Sequence, residues 1–270
     1  MKNLRLLLII SLGLLIVTSD YSVAQKRNKN KIKASKNYIT REFNNFPVFD
    51  IISISDIIEV EYTQNNDGLI KVSAYGSDNV LELLVIENNK GTLRAYLKES
   101  VEITGDSKLK ITLSSPELRR ITGRDECLIK LASDLVTGNL TVILSGRSQL
   151  AFKKVTCGSL MLDASGGSKI KADYLKSEKS SINTNGVSSI VINQGSAEKG
   201  SIILSGSSKV NALQYSIYDT VISLSGSTFL TFSAIGTISG TMSGSSKLEY
   251  TGAPLQIVER SGGAIINGMQ

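Results

Sequence analysis

The sequence predicts an all-β fold: a right-handed parallel β-helix (a β-solenoid) with turns of about 20 residues, preceded by a β-rich N-terminal region. Two observations predict it. A Ser-Gly or Asn-Gly step recurs at nearly constant spacing through the second half of the chain, and apolar residues alternate with polar ones on both sides of that step. The stretches LSGSSKVNA at 204–212 and MSGSSKLEY at 242–250 show how closely the units repeat.

The repeated glycines are the first element of this prediction. They lie 20, 20, 20, 20 and 18 residues apart, and Gly123 is an earlier, less regular member 23 residues before the first of them. The regular members are Gly146, Gly166, Gly186, Gly206, Gly226 and Gly244. Because glycine adopts the positive φ that a sharp bend needs, we expect each of them to mark a corner of the solenoid.

Strands are predicted on both sides of each corner. The residue four positions after every regular glycine is a branched aliphatic, namely Leu150, Ile170, Ile190, Val210, Leu230 and Leu248. Alternation with a period of two indicates a strand with one buried face, and stacked units share one continuous core. Ser or Thr stands two positions after each glycine. We expect these hydroxyls to hydrogen-bond to one another along a buried column.

The rest of the chain divides by composition. The segments are a signal peptide at 1–24, a basic polar tail at 25–45, an N-terminal β-rich region at 46–115, and the solenoid with a C-terminal cap at 116–270. The first segment has a basic start, an apolar run and a small-x-small pattern ending at Ala24, which is typical of cleavage during export. The tail is interpreted as a solvated linker. Within the β-rich region, Leu83 to Leu97 read as a hairpin that turns at 88–91.

Charge and cysteine placement restrict the partners. From Glu42 onward the chain has 21 basic and 23 acidic residues, so the basic character belongs to the tail and the signal peptide. The tail has no interleaved aromatic residues, so no nucleic-acid partner is expected. No apolar run after the signal peptide is long enough for a transmembrane helix. Cys127 and Cys157 fall at different positions relative to the repeated glycines, and two free, buried thiols are expected.

Few residues of the chain are suited to catalysis or metal binding. The chain contains no histidine, so a serine nucleophile would lack its usual base, and a metal would need carboxylates or thiolates. Within the repeats only Glu178 and Glu198 share a register, and each is followed by a lysine. We interpret them as an outer corner where Glu and Lys offset each other's charge. The sequence therefore predicts no catalytic residue, no metal ligand and no cofactor.

One outward column of the repeats is basic. Lys169, Lys209 and Lys247 stand three positions after their glycines, with Ser189 and Phe229 between them. They are candidate surface-contact residues, although solubility is the favoured explanation for them.

The order of several segments resembles a known family. GSDNVLELLVIENNKGTLRAYL, SSPELRRITG, the SG-x-S repeats and the closing RSGGAII resemble the GIN-domain family of exported bacterial proteins, common in Bacteroidetes and labelled "putative autotransporter adhesin head domain". The resemblance covers residues 46–268 as one domain. It implies a β-rich region followed by a right-handed β-helix, and it supplies no catalytic residues.

The leading hypothesis is an exported, non-enzymatic β-solenoid in cell adhesion or cell-envelope scaffolding, at the cell surface or in the periplasm. Its partner would be a cell-surface glycan or protein. The alternative is a carbohydrate-binding or polysaccharide-cleaving β-helix. A solvent-exposed groove with converging carboxylates and tyrosines would favour the alternative, whereas smooth faces of Ser, Lys and Asn would favour the first hypothesis.

Overall fold

The computed structural model of the protein describes residues 30–98, 101–105 and 107–269. The signal peptide predicted at 1–24 lies outside these residues and stays a prediction. Within them the chain is almost all β and forms a solenoid of about eight turns, which confirms the predicted fold class. The short helix α1 (Asp78–Leu81) is the only helix in the described part of the chain.

The strands that make up the fold follow in chain order. They are β1 (Asn30–Lys33), β2 (Tyr38–Glu42), β3 (Ile51–Ile54), β4 (Glu59–Gln64), β5 (Lys71–Ser77), β6 (Leu84–Asn89), β7 (Thr92–Leu97), β8 (Val101–Thr104), β9 (Leu109–Ser115), β10 (Arg120–Gly123), β11 (Leu128–Leu131), β12 (Leu135–Leu144), β13 (Gln149–Ala164), β14 (Lys169–Thr184), β15 (Ser189–Leu204), β16 (Lys209–Leu224), β17 (Phe229–Met242), β18 (Lys247–Thr251), β19 (Leu255–Arg260) and β20 (Ile265–Met269).

Successive turns stack as parallel strands in register. From β13 to β16 the paired residues are 20 positions apart, so Ile170 lies beside Ile190 and Ile190 beside Val210. β17 has 14 residues where β16 has 16, and the pairing of the two strands shifts between Ala212 and Ser216. A second shift, between Ile217 and Asp219, restores one residue of the register. The net loss of two residues explains why the last glycine spacing is 18 residues instead of 20.

Each long strand bends twice as it crosses the solenoid. In β14 the side chains alternate between buried and exposed, except that two neighbouring residues face outward at Asp173–Tyr174 and again at Glu178–Lys179. A doubled outward pair places both side chains on the convex side of a bend and returns the next residue to the core. The turn therefore has three flat segments, with a third corner at the glycine.

The N-terminal region continues the solenoid and caps it. β3 pairs in parallel with β10 on one side and with β7 on the other. β4 pairs in the same way with β11 and β9. The predicted hairpin is present as β6 and β7, which turn through Lys90 and Gly91 with φ of 50° and 83°. Antiparallel β5 and β6 pair with β9 and β7 and so cover the outer edges of these two strands.

The basic tail differs from the predicted solvated linker. Two parts of it form strands: β1 pairs in parallel with β8, and β2 pairs antiparallel with β5. The Arg41 guanidinium donates to the carbonyl of Leu81 at 3.1 Å. From residue 30 onward the tail is therefore part of the folded N-terminal region, because long-range sheet pairing satisfies the backbone of β1 and β2.

The six regular glycines adopt the positive φ expected at a corner, whereas Gly123 does not. The six regular glycines have φ between 69° and 81°. Gly123 is not among the residues with positive φ; the corner of its turn is Asp125, with φ of 64°, and Gly146 packs directly on Asp125. Asp56, with φ of 65°, occupies the same corner one turn earlier. Asp tolerates the left-handed region because its short polar side chain can hydrogen-bond locally.

The buried hydroxyls after the corners also bond differently from the prediction. Ser148, Ser168 and Ser208 donate to the backbone carbonyl three residues earlier, at 2.8 to 2.9 Å. Direct hydroxyl-to-hydroxyl contact occurs from Thr184 to Ser208, at 2.7 Å. The carbonyl of the same tight turn is nearer than the next hydroxyl in the column, so most of the column is satisfied locally.

The two cysteines are free and buried, as predicted. Cys127 contributes to the core beside the corner at Asp125, whereas Cys157 lies on the far side of its turn and pairs across strands with Thr137 and Ser177.

Candidate binding groove

A groove runs along the solenoid axis beside the second bend of the turns. Its volume is about 760 Å³, and residues of five successive turns line it. We call it the corner groove. Its lining residues are Val136, Thr137, Thr156, Cys157, Gly158, Lys176, Ser177, Glu178, Ser196, Ala197, Glu198, Lys199, Tyr218 and Asp219.

Small side chains make the floor of the corner groove. Cys157, Ser177 and Ala197 stack in one column of successive turns, and each is 6% exposed. The column through Ile170 and Ile190 is bulky by comparison.

A buried tyrosine supports this floor from inside. The Tyr215 side chain is fully buried, and its hydroxyl lies 3.4 Å from Ser177 Oγ, two turns away. Gly195, which pairs with Tyr215, has no side chain, and a Cβ there would lie 1.7 Å from the Leu175 carbonyl oxygen. Burial raises the pKa of the Tyr215 hydroxyl, so the group remains a neutral hydrogen-bonding partner.

The rim of the groove carries charged and aromatic residues. Glu178, Glu198 and Tyr218 occupy equivalent positions in three successive turns, and Tyr218 is 56% exposed. The same column has Gly158 one turn before Glu178, and one turn after Tyr218 a bulge places Ile235 and Gly236 opposite the tyrosine. A Cβ on Gly236 would lie 2.9 Å from the Tyr218 carbonyl oxygen and 3.0 Å from Tyr218 Cε1. Gly236 therefore allows its backbone to lie close to Tyr218.

The rim holds charges of both signs, and Lys199 lies beside Asp219 of the next turn. Lys179 lies beside Lys199, and the glutamates before them are stacked likewise. None of the ion pairs found among the described residues includes Glu178, Glu198, Asp219, Lys176 or Lys199. Like charges on neighbouring strands are destabilising. Within this column Glu178 and Glu198 therefore face a like charge on the neighbouring turn.

The side chains of the groove are better suited to binding a ligand than to catalysis. Burial raises the pKa of the Cys157 thiol to about 11, so the sulfur is protonated at neutral pH and is a poor nucleophile. In the described part of the chain, no three His, Cys, Asp or Glu side chains lie close enough together to hold a metal ion. Carboxylates, ammonium groups and an exposed phenol remain as hydrogen-bonding and stacking groups.

The predicted lysine column lies outside the groove. Lys209 Nζ lies 4.9 Å and Lys247 Nζ lies 5.7 Å from the centre of the Phe229 ring, so two lysines flank one aromatic side chain. Lys247 also pairs with Glu249 at 2.6 Å. Lys169 stands two turns away, beyond Ser189. A role for these lysines in surface contact stays a prediction.

Sequence reasoning identified individual members of the groove but not the groove itself. The signal was present: adjacent outward residues recur eight and seven positions before each glycine, as in Glu178–Lys179, Glu198–Lys199 and Tyr218–Asp219. This doubling breaks the period of two at a fixed place in each unit, which is how a bend differs from a flat strand.

No helix in the described residues has the length and apolar character that crossing a membrane requires.

The fold and the groove together define a class: a parallel β-solenoid with a ligand-sized groove on its lateral surface. The chain belongs to the family described as "Putative auto-transporter adhesin, head GIN domain", whose model matches residues 48–254. This confirms the resemblance drawn from the sequence. No curated protein matches the chain.

Several solved structures share this fold. A putative adhesin from Parabacteroides merdae ATCC 43184 aligns with a TM-score of 0.83 at 16% identity, covering 89% of this chain and 100% of that one. A structure named putative lipid binding protein, from Parabacteroides distasonis ATCC 8503, aligns with a TM-score of 0.81 at 20% identity, with the same coverage. A putative adhesin from Bacteroides fragilis NCTC 9343 aligns with a TM-score of 0.71 at 22% identity, covering 88% and 100%.

Proposed function

We propose that this chain is an exported, non-enzymatic β-solenoid protein that serves in cell adhesion or as a scaffold of the cell envelope. The observation that carries the proposal is the corner groove, which presents charged and aromatic side chains of three successive turns on an open lateral surface. Membership of a family described by an adhesin head supports the adhesive role.

The arrangement of the carboxylates favours binding over cleavage. Glu178 and Glu198 occupy equivalent positions in neighbouring turns, about 4.8 Å apart along the axis. Retaining glycosidases also have two carboxyl groups separated by about 5 Å, but theirs flank the scissile bond from opposite sides. Two glutamates that project in parallel from one wall contact the same side of a bound ligand. They can orient a ligand, but they cannot protonate a leaving group and attack from the opposite face.

Protease treatment of intact cells tests the location that adhesion requires. If the chain is displayed at the surface, added protease digests it while a known periplasmic protein in the same cells stays intact. Protection until the outer membrane is permeabilised would contradict the adhesive role and leave the scaffold role in the periplasm. A strain lacking the protein should also attach more weakly to its surface, and re-expression of the chain should restore attachment.

The groove also favours the alternative function, carbohydrate binding. An exposed tyrosine beside acidic side chains is an arrangement that suits sugars, because the ring stacks on the apolar face of a sugar and the carboxylates accept its hydroxyls. Incubating the purified protein with polysaccharides and measuring new reducing ends distinguishes binding from cleavage. Turnover that is lost in Glu198→Gln would contradict the non-enzymatic assignment.

A further inference from the structure

We propose that the corner groove binds a linear, uncharged glycan chain that lies parallel to the solenoid axis, with about one sugar residue per turn. The inference rests on the proposed binding function and adds to it the ligand class, its orientation and the residues that contact it. Tyr218 would stack on one sugar, and Glu198 and Glu178 would accept hydroxyl groups of the next two sugars along the chain.

The spacing of the turns selects the kind of polymer. Neighbouring turns are about 4.8 Å apart, so five turns give a groove of about 19 Å. A hexose in an extended β-1,4-linked chain has nearly the same length as one such step, so each turn meets one sugar. Successive sugars are rotated by about half a turn, so every second turn meets the same face of the chain. An extended peptide presents side chains to one face about every 6.7 Å, and it would fall out of step after one turn.

The charges of the groove argue against a charged ligand. The lining includes the carboxylates of Glu178, Glu198 and Asp219 and the ammonium groups of Lys176 and Lys199. Any fixed charge on a ligand would lie near a residue of the same sign. Hydroxyl groups instead can donate to the carboxylates and accept from the ammonium groups, so a neutral sugar satisfies both.

The stacked glutamates provide a second, independent argument. Glu178 and Glu198 lie on neighbouring turns with no ion pair among the described residues, although like charges side by side destabilise a sheet. The groove floor is a column of small residues, Cys157, Ser177 and Ala197. The like charges reduce stability, and they are explained if this side of the solenoid receives a ligand that donates hydrogen bonds.

Titration calorimetry of the full chain tests the proposal, with cello-oligosaccharides and chito-oligosaccharides of two to six residues as neutral probes. Affinity should rise with chain length up to four or five sugars and then level off, because the groove ends there. Oligogalacturonate of six residues serves as the anionic probe, and an extended nonapeptide of Ser and Thr serves as the peptide probe. Both should bind at least tenfold more weakly than the best neutral hexasaccharide.

Variants locate the binding. Tyr218→Ala should weaken binding of the hexasaccharide about tenfold, which corresponds to about 1.4 kcal/mol. Glu198→Gln, which keeps the shape of the side chain, should weaken it about threefold or more. Tyr174→Ala is the matched control, because Tyr174 is a partly exposed tyrosine at the other bend of the same solenoid, near Lys154. It should leave the affinity unchanged.

The possible results distinguish failure of the glycan proposal from failure of the proposed role in adhesion. Absence of binding to every neutral probe, equal binding by Tyr218→Ala, or a preference for the anionic or peptide probe would each overturn the glycan proposal. If Tyr218→Ala abolishes glycan binding but cells expressing it attach normally, adhesion uses another surface and only the role of the groove in adhesion is wrong. If glycan binding holds but the protein is protected from protease on intact cells, the surface location is wrong and the groove proposal stands.

Discussion

Replacing Gly186 with alanine tests the central structural claim, that the glycine corners are required by both conformation and stacking. Gly186 has φ of +78°. A Cβ at this position would lie 2.7 Å from the carbonyl oxygen of Gly166, 3.2 Å from its nitrogen and 3.3 Å from its Cα. All three atoms belong to the backbone of the previous turn, so they cannot move aside as a flexible side chain would.

The expected cost has two parts. An L-residue in the left-handed region costs about 1–2 kcal/mol. Inserting a methyl group into a closely packed site typically costs a further 1–3 kcal/mol, since the neighbouring backbone must shift. Gly186→Ala should therefore lower the free energy of unfolding by about 2–5 kcal/mol.

Two further glycines separate these parts. Gly68 has φ of +74°, but a Cβ there would have nothing within 4 Å, so Gly68→Ala reports the conformational cost alone. Gly138 has neither positive φ nor a close neighbour, so Gly138→Ala should be neutral or slightly stabilising. Urea unfolding followed by circular dichroism measures all three variants. If Gly186→Ala is no more destabilising than Gly68→Ala, the turns do not pack against each other through this corner.

Three other predictions concern the core. Ile190→Asp buries an unpaired charge in the central column and should unfold the domain at ordinary temperature, whereas Ile203→Asp, on the exposed side of the same strand, should change the melting temperature little. The pKa of Cys157 is raised to about 11 in the folded state, so the thiol of the unfolded chain loses its proton at lower pH than that of the folded chain. The free energy of unfolding should therefore hold below pH 9 and fall between pH 9 and 11. Alkaline unfolding curves should show a shallower fall for Cys157→Ser. Ser188→Ala removes a hydroxyl that lies within 2.8 Å of two backbone carbonyls and should cost about 1 kcal/mol, while Ser246→Ala, at a hydroxyl without a partner in the described residues, should cost less; equal losses in urea titrations would contradict this assignment.

Most of the solenoid could be predicted because its order is local and repeated. The aliphatic column through Ile170, Ile190 and Val210 follows from a period of two within each unit and a period of 20 between units. The corner at Asp125 could not be predicted from the glycine spacing, because the backbone requires only a residue that tolerates positive φ. Glycine marks most of these corners, but aspartate adopts the same positive φ at position 125.

The folded part of the tail could not be predicted for a different reason. β1 pairs with β8, about 70 residues along the chain, and β2 pairs with β5. Such pairing depends on which sheet edge is free after the rest has folded, and no local pattern in a basic, polar segment records it. The antiparallel hairpin β6–β7 was predicted because its partner is adjacent and its turn residues are diagnostic.

The corner groove could be predicted only in part, because some of its residues follow the repeat and others depart from it. The glycine corner is constrained in every turn, because each glycine packs on the backbone of the turn before it. The column at the second bend is constrained less uniformly: Gly158 and Gly236 lie close to the backbone of the turn before, but Glu178, Glu198 and Tyr218 stand between them. Periodicity predicts only the positions that every turn needs for stacking. The residues that depart from the repeat, within a column that stacking constrains less uniformly, are therefore where a binding function can be placed without loss of the fold.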